Sequence, residues 1–170
     1  MPTLLLARHA KSSWADGSLR DHDRPLNRRG ADDAPRVGSA LRARDLIPDL
    51  VYSSTSARTR ETLAGLEDGF EMPLQVHYVP ELYLASPGTM LAAVQSAPDE
   101  VETLMILAHN PGTHALAVGL AADGNRKDLE QMRLKFPTGA VAVLNFDLDR
   151  WADIQGGGTL VEFILPRSLP

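Results

Sequence analysis

Cysteine is absent from this chain of 170 residues. A disulfide framework, a thiolate metal site and a cysteine nucleophile are therefore excluded. Positive charge is also in short supply, because 17 Lys and Arg residues face 22 Asp and Glu residues and leave a formal net charge of −5. This balance argues against general nucleic-acid binding, which favours a basic face, but it is compatible with a local basic pocket.

Long apolar runs are missing as well. No segment approaches the length that crosses a membrane, and the N-terminus lacks a basic region followed by an apolar stretch, so we expect a cytoplasmic protein without membrane contact. Hydrophobic residues make up 44% of the chain and charged residues 23%, which is typical of a globular protein. With no repeat or linker in evidence, we expect a single domain over residues 1–170.

An apolar run at residues 4–7 leads directly into Arg8 and His9. So short a run predicts a strand buried on both faces of a parallel sheet, and open α/β sheets bind ligands at the carboxyl edge of their strands. Arg8 is a permanent cation with forked donors, and His9 is a nucleophile or proton carrier. The pair suggests a phosphate site, although a buried strand that merely happens to end in two polar residues is the simpler alternative.

Two later apolar runs, 50–53 and 103–108, also end in polar residues. The first leads through serines into a helix that carries Arg58 and Arg60, which lie on different sides of the helix, so only one of them can face a pocket easily. The second leads into His109. We expect 3–8, 50–53 and 103–108 to be adjacent central strands, which would bring these residues to one edge.

The segment 11–26 is polar and rich in turn residues, so we expect a functional loop that lies over the strand end. Trp14 could line a pocket or cap the core, and capping the core is the expected role. His22 stands between Asp21 and Asp23, where a solvated or ion-paired histidine is more common than a metal ligand.

The remaining pattern predicts a single three-layer α/β/α domain with a mostly parallel central sheet and antiparallel C-terminal strands. The antiparallel pair is expected because a short connection without a helical pattern joins the last two apolar runs. The other predicted elements are helices over 27–44, from 57, from 87 to about 96 and through 114–120, strands at 74–79, 140–146 and 159–165, and a loop or short helix over 123–133.

Two histidines and two arginines at one edge, without cysteine and with few nearby carboxylates, predict an anion pocket rather than a metal site. Guanidinium groups match phosphate oxygens with paired donors. A neutral imidazole beside these cations can attack phosphorus, and the cations disfavour its protonation. No metal and no cofactor is expected.

Four segments, in the same order along the chain, resemble motifs of the histidine phosphatase superfamily. Residues 5–10 resemble its Arg-His-Gly signature with Ala10 in place of glycine, and 107–111 resemble its Gly-His-Asn-Pro motif with Ala108 in place of glycine. Residues 24–30 resemble its Arg-Pro-Leu segment, and 53–62 resemble its second-arginine motif. The Ala-Lys-Ser-Ser-Trp and Phe-Pro-Thr-Gly-Ala segments and the short chain are most similar to the SixA-type phosphohistidine phosphatase branch.

This resemblance implies a role for each matching residue. His9 would be the nucleophile that becomes phosphorylated, and Arg8, Arg58 and His109 would bind the phosphoryl oxygens. Arg58 is favoured over Arg60 by its spacing within the motif. Glu81 stands where many members carry an acidic proton donor, a role that is less certain in the SixA-type branch.

The implied activity is that of a metal-independent phosphatase that forms a phosphohistidine intermediate on His9 and dephosphorylates phosphohistidine in a protein. The alternative is a phosphatase of small-molecule phosphate monoesters. A mutase ranks low because the chain is short for the lid segments that mutases of the superfamily carry. A non-catalytic phosphoanion-binding module has little support because the nucleophile and the phosphate-binding residues are all present. The expected partner is a phosphorylated protein or a small phosphate ester, and the protein is expected to be a monomer.

Overall fold

Every strand joins one seven-stranded sheet in the computed structural model, which describes all 170 residues. The sheet order is β3-β2-β4-β1-β6-β7-β5, where the strands are β1 (Thr3–Arg8), β2 (Leu50–Ser53), β3 (Val76–Tyr78), β4 (Thr103–Ala108), β5 (Ala121–Gly124), β6 (Val141–Asn145) and β7 (Gly158–Ile164). β6 pairs antiparallel with both β1 and β7, and every other pairing is parallel. β2, β4 and β1 are neighbours in the interior of the sheet, as the sequence predicts.

Five α-helices connect these strands, and most of them begin at a side-chain cap. Asn27 accepts a hydrogen bond from the Gly30 N–H, and Ser56, Ser86 and Asn125 cap three other helices in the same way. The helices are α1 (Arg28–Ala43), α2 (Ala57–Phe70), α3 (Pro87–Gln95), α4 (Gly112–Leu120) and α5 (Arg126–Leu134). Short 3-10 helices cover Asp21–Asp23, Pro80–Leu82, Trp151–Asp153 and Pro166–Ser168. None of the helices is both long enough and apolar enough to span a membrane.

Helices cover both faces of the sheet, which explains why β1 is apolar without interruption. Leu4 and Leu6 belong to a core cluster shared with α3, α4 and α5, whereas Leu5 and Ala7 belong to a second cluster shared with α1 and α2. Successive side chains of a strand point to opposite faces, so each face of β1 requires apolar residues. The three-layer α/β/α architecture is thereby confirmed.

α1 and α2 approach each other closely through glycine. A Cβ atom added to Gly38 of α1 would lie 2.4 Å from the Leu66 carbonyl oxygen of α2. One added to Gly69 of α2 would lie 2.1 Å from the Pro35 carbonyl oxygen. The two backbones can therefore pack at this distance only because neither position carries a side chain.

The segment after α4 differs from the sequence expectation. Residues 123–133 include most of the short helix α5, which agrees with the predicted loop or short helix, but Ala121–Gly124 forms strand β5, which the sequence does not predict. β5 pairs with β7 at the edge of the sheet, with an irregularity in register between Ala121 and Asp123. Its sequence has no strand pattern, so this strand depends on the edge that β7 presents.

Residues 13–25 form a long loop over the carboxyl edge of the sheet, as expected. The loop returns to its own starting point, because Ser12 and Leu26 form an antiparallel bridge and the Ser13 N–H donates to the Pro25 carbonyl at 2.8 Å. The Asn27 N–H in turn donates to the Lys11 carbonyl at 2.9 Å. The loop is thus closed at its base and can hold side chains over the strand ends.

Candidate active site

Four side chains that the sequence assigns to a phosphate site line one cavity. Arg8 is the last residue of β1 and His9 follows it, Arg58 lies in the first turn of α2, and His109 follows β4. They line a cavity of about 210 Å³ at the carboxyl edge of the sheet. The ring centroids of His9 and His109 are 5.3 Å apart.

His9 is buried and has a defined tautomer. Its Nδ1 lies 2.7 Å from the Ala10 carbonyl oxygen, which can only accept a hydrogen bond, so Nδ1 carries the proton and Nε2 keeps its lone pair. Burial, followed by the charges of Arg58, Arg8 and Arg24, lowers the pKa of His9 to about 4. At neutral pH the ring is therefore uncharged and its Nε2 can act as a nucleophile.

Thr62 of α2 connects the segment after His9 to the helix that carries Arg58. The Ala10 N–H donates to the Thr62 hydroxyl at 2.9 Å, and this hydroxyl donates to the Arg58 carbonyl at 2.7 Å. Thr62 is itself buried. The chain after β1 and the first turn of α2 are thus held in a fixed relation.

His109 is the second buried imidazole. Its Nε2 lies 2.7 Å from the Ser54 hydroxyl oxygen, and the Tyr83 ring packs edge-on against it with a centroid separation of 5.4 Å. Burial, followed by the neighbouring His9 and Arg58, lowers the pKa of His109 to about 3. His109 is therefore a neutral donor or acceptor, not a cation, in the ligand-free site.

The two predicted arginines are held by oxygen acceptors in the protein. Arg8 Nη1 donates to the Phe136 carbonyl at 3.0 Å, and burial lowers the pKa of Arg8, with the nearby charge of Arg58 acting in the same direction. Arg58 Nη1 and Nη2 donate to the carbonyl and a carboxylate oxygen of Asp21, at 2.8 and 3.0 Å. Both guanidinium groups are thus oriented before any ligand arrives.

The buried side-chain polar atoms that lack a hydrogen-bond partner all belong to residues of this cavity. Buried polar groups in folded proteins are normally paired, so such a concentration indicates a place for a ligand. Five of the six atoms are nitrogens, which suits an anion with several oxygens. They are Arg8 Nε, Arg24 Nε, Arg24 Nη1, Arg58 Nε, His109 Nδ1 and Asn110 Oδ1.

Three further residues reach the site although the sequence did not assign them to it. Arg24 lies in the cavity lining with its side chain buried, and Asp21 accepts hydrogen bonds from Arg58 and from the Tyr83 hydroxyl. The hydrogen bond from Tyr83, aided by Arg58, lowers the pKa of Asp21, which is therefore ionised. Only the Arg-Pro-Leu segment at residue 24 offered a signal, because the position of Asp21 depends on the path of the long loop and that of Tyr83 on the segment after Pro80–Leu82.

Trp14 differs from its expected role. Its side chain is 74% exposed and does not cap the core. Instead it lies at the rim of the cavity, and its ring covers the Arg24 guanidinium at 3.4 Å from Cζ to the ring centroid. The indole therefore makes a cation–π contact with a buried arginine in place of contacts in the core.

Glu81 and Arg60 lie outside the cavity. Glu81 is exposed in the 3-10 helix Pro80–Leu82, and its proposed role as a proton donor stays a prediction. Arg60 is exposed and stacks on the Tyr78 ring, in agreement with the preference for Arg58. Nowhere does the chain gather three His, Asp or Glu side chains into a group that could hold a metal ion.

Comparison with known proteins places this geometry in a family. The profile of the histidine phosphatase superfamily (branch 1) matches residues 4–83. An uncharacterised protein from Mycobacterium tuberculosis is 41% identical over 163 residues, which cover 94% of this chain and 99% of the relative.

Solved structures agree with this assignment. The structure of a candidate phosphohistidine phosphatase SixA from Nakamurella multipartitia has a TM-score of 0.83 at 34% identity, covering 97% of this chain and 96% of its own. The crystal structure of a candidate phosphohistidine phosphatase SixA from Agrobacterium tumefaciens has a TM-score of 0.82 at 30% identity, covering 98% and 99%.

Proposed function

Because the chain belongs to the histidine phosphatase superfamily, in its SixA-type branch, we propose that it is a metal-independent phosphatase that uses His9 as a covalent nucleophile and acts on phosphohistidine in a protein. The observation that carries this proposal is the convergence of His9, with its free Nε2, and buried donors without partners on one cavity. A phosphoryl group placed among these donors would present its phosphorus to His9.

In the first step the Nε2 lone pair of His9 attacks phosphorus. A new P–N bond forms while the bond between phosphorus and the leaving group breaks, and the leaving group takes up a proton from water. Arg8 and Arg58 face the charge that spreads over the phosphoryl oxygens, and because both are already oriented they need no rearrangement in the transition state. The Nδ1–H bond to Ala10 helps to hold the ring as positive charge develops on it.

In the second step water attacks the phosphorus of phospho-His9. The P–N bond to His9 breaks, inorganic phosphate leaves, and His9 regains its neutral form with the proton still on Nδ1. The same arginines bind the phosphoryl oxygens in both steps, because the phosphorus atom stays in one place while the atom bonded to it changes.

The preference for phosphohistidine rests on the lack of a well-placed neutral acid in the cavity. Glu81 is exposed outside it, and the lowered pKa of Asp21 keeps that carboxyl ionised. An alcohol leaving group benefits strongly from a general acid, whereas the imidazole released from phosphohistidine is basic enough to take its proton from water. The site therefore suits a phosphoramidate better than an ester.

The test is to offer the purified protein a phosphohistidine-bearing protein and a panel of small phosphate monoesters, with and without a chelator. We expect the fastest release of phosphate from the phosphohistidine substrate, with no effect of the chelator. The His9→Ala variant should lose turnover to background while still binding inorganic phosphate, because the arginines remain. Arg58→Ala should lower kcat by about 10²–10³-fold, as is typical when one preorganised donor is removed.

Each result separates one candidate from another. Faster release from one monoester would favour the small-molecule alternative. Full turnover in His9→Ala would overturn the covalent mechanism. Arg60→Ala is the matched control for Arg58→Ala, because it removes an exposed cation two residues further along the same helix and should leave turnover unchanged.

A further inference from the structure

Arg24 is the one residue of the cavity with two buried nitrogens that lack a hydrogen-bond partner. Its residue exposure is 6%, and neither Nε nor Nη1 has a hydrogen-bond partner, although both are shielded from solvent. Asp21 balances the charge of Arg24, but Nη1 still has no acceptor, and leaving a buried donor without a hydrogen bond is costly. A penalty of this kind at a cavity wall indicates a ligand that supplies the acceptor.

We propose that Arg24 is a further phosphate-binding residue, so that three arginines and not two bind the phosphoryl oxygens of the substrate. This proposal rests on the proposed function for the identity of the anion. Arg24 lines the same cavity as His9, Arg8 and Arg58. Its Nη1 is a free donor, and the planar guanidinium suits the spacing of two phosphoryl oxygens.

Contacts on several sides hold the Arg24 guanidinium in place. Nη2 donates to the Ser12 hydroxyl at 2.9 Å, and Nε lies 3.4 Å from a carboxylate oxygen of Asp21. The Trp14 ring covers one face of the guanidinium. An arginine that is restrained in this way loses little conformational freedom when it binds an anion.

The charge of Arg24 also reaches the reacting ring. Together with burial and the other arginines, it contributes to the lowered pKa of His9, which shows that guanidinium and imidazole share one electrostatic environment. A dianionic phosphoryl group bound between them would be attracted by Arg24 and accessible to His9. Arg24 would therefore lower the KM of the substrate as well as stabilise the charge of the transition state.

The experiment compares Arg24→Met with Arg20→Met. Arg20 lies on the same loop and pairs with Asp23, but its side chain is 83% exposed, so its variant removes one positive charge outside the cavity. The dissociation constant of inorganic phosphate is measured by calorimetry, and kcat and KM are measured with the best substrate. We expect Arg24→Met to weaken phosphate binding and raise KM by about tenfold or more, and Arg20→Met to change neither by more than about twofold.

Arg24→Lys keeps the charge but loses the forked donors, and it provides the decisive comparison if Arg24→Met does not fold. It should still weaken phosphate binding at least about threefold, since a point charge cannot reproduce paired hydrogen bonds. Unchanged phosphate affinity in every folded Arg24 variant would overturn the proposal.

Tryptophan emission gives a readout that a purely structural role would not change. Trp14 covers Arg24, whereas Trp151 is buried with its N–H bonded to the Val101 carbonyl. Titration with phosphate should change the emission of wild type and Arg20→Met but not that of Trp14→Phe or Arg24→Met. A wild type that binds phosphate without any change in emission would count against contact at Arg24.

The two proposals can fail separately. If wild type shows no turnover but Arg24→Met still weakens phosphate binding, the proposed reaction is wrong and the binding role stands. If wild type turns over and Arg24→Met behaves like Arg20→Met in phosphate affinity, in kinetics and in tryptophan emission, the reaction stands and the role of Arg24 is overturned.

Discussion

Single residues in this site owe their chemistry to burial. With pKa values of about 4 and 3, His9 and His109 stay neutral well below the pH at which a solvated imidazole becomes protonated. In nuclear magnetic resonance spectra, we expect neither ring to titrate between pH 5 and 8 without ligand, with His9→Ala and His109→Ala used to assign the signals. A midpoint near 6.5 for His9 would contradict the burial argument.

The same shift makes the stability of the protein depend on pH. The pKa of His9 is lower in the folded chain than in the unfolded chain, so the unfolded state takes up the proton first as the pH falls. The stability that the neutral His9 contributes to the free energy of unfolding is present above pH 6.5 and is lost as the pH falls toward 4, for a total of roughly 3 kcal/mol. Urea unfolding of wild type and His9→Gln at pH 7 and pH 4 should show a steeper loss for wild type, and parallel losses would count against the assignment.

The position of a side chain could be predicted from the sequence where that side chain lies at the end of a strand. Arg8, His9 and His109 could be placed because the strand end fixes their position within a residue or two. Asp21 and Tyr83 could not be placed, since both reach the cavity through segments whose path depends on tertiary contacts. A carboxylate in an anion pocket is also contrary to simple charge matching, and here it serves to orient Arg58.

Secondary-structure elements were predictable where burial imposes a pattern. The runs at 3–8, 50–53 and 103–108 are apolar because both faces of the sheet are covered, and this pattern predicts their place in the interior of the sheet. The sequence does not predict β5, because Ala121–Gly124 has neither alternating apolar and polar residues nor β-branched residues. Its conformation is imposed by pairing with β7, which is a property of the assembled sheet and not of the segment.

The contact between α1 and α2 depends on the absence of side chains at its closest point. Gly38→Ala should lower the free energy of unfolding by about 1–3 kcal/mol, because its Cβ would meet backbone atoms of α2 that cannot easily move. The control is Gly119→Ala in α4, where a Cβ meets nothing within 4 Å, and which should be neutral or stabilise by up to about 1 kcal/mol. Equal effects of the two changes in chemical denaturation would show that helix packing is not the cause.

At the scale of the whole molecule, the cavity joins elements that are distant in sequence. β1, α2 and the segment after β4 each contribute, so an anion in the cavity binds the folded chain and not the unfolded one. Inorganic phosphate at 100 times its dissociation constant should add about 2.7 kcal/mol, which corresponds to a rise in Tm of roughly 5–10 °C for a chain of this size. Thermal unfolding in phosphate and in chloride at equal ionic strength measures this difference.

Variants of the cavity provide the controls for that measurement. His9→Ala should keep most of the rise in Tm because it retains the arginines, whereas Arg8→Ala and Arg58→Ala should lose most of it. An equal rise in all of these variants would mean that phosphate acts as a stabilising salt through the general surface and not through the cavity.

The closed base of the long loop allows the loop to change length in evolution without disturbing the sheet. Since Ser12 and Leu26 are bridged, residues 13–25 leave the body of the protein and return at one place. Insertions in a loop that is closed at its base cost little free energy, because the entropic cost of closing a loop grows slowly with its length. The tip of the loop, residues 15–20, can therefore lengthen while Trp14, Asp21 and Arg24 keep their places in the cavity lining. Variation in length can thus accumulate at the tip without displacing the strands or the residues that line the cavity.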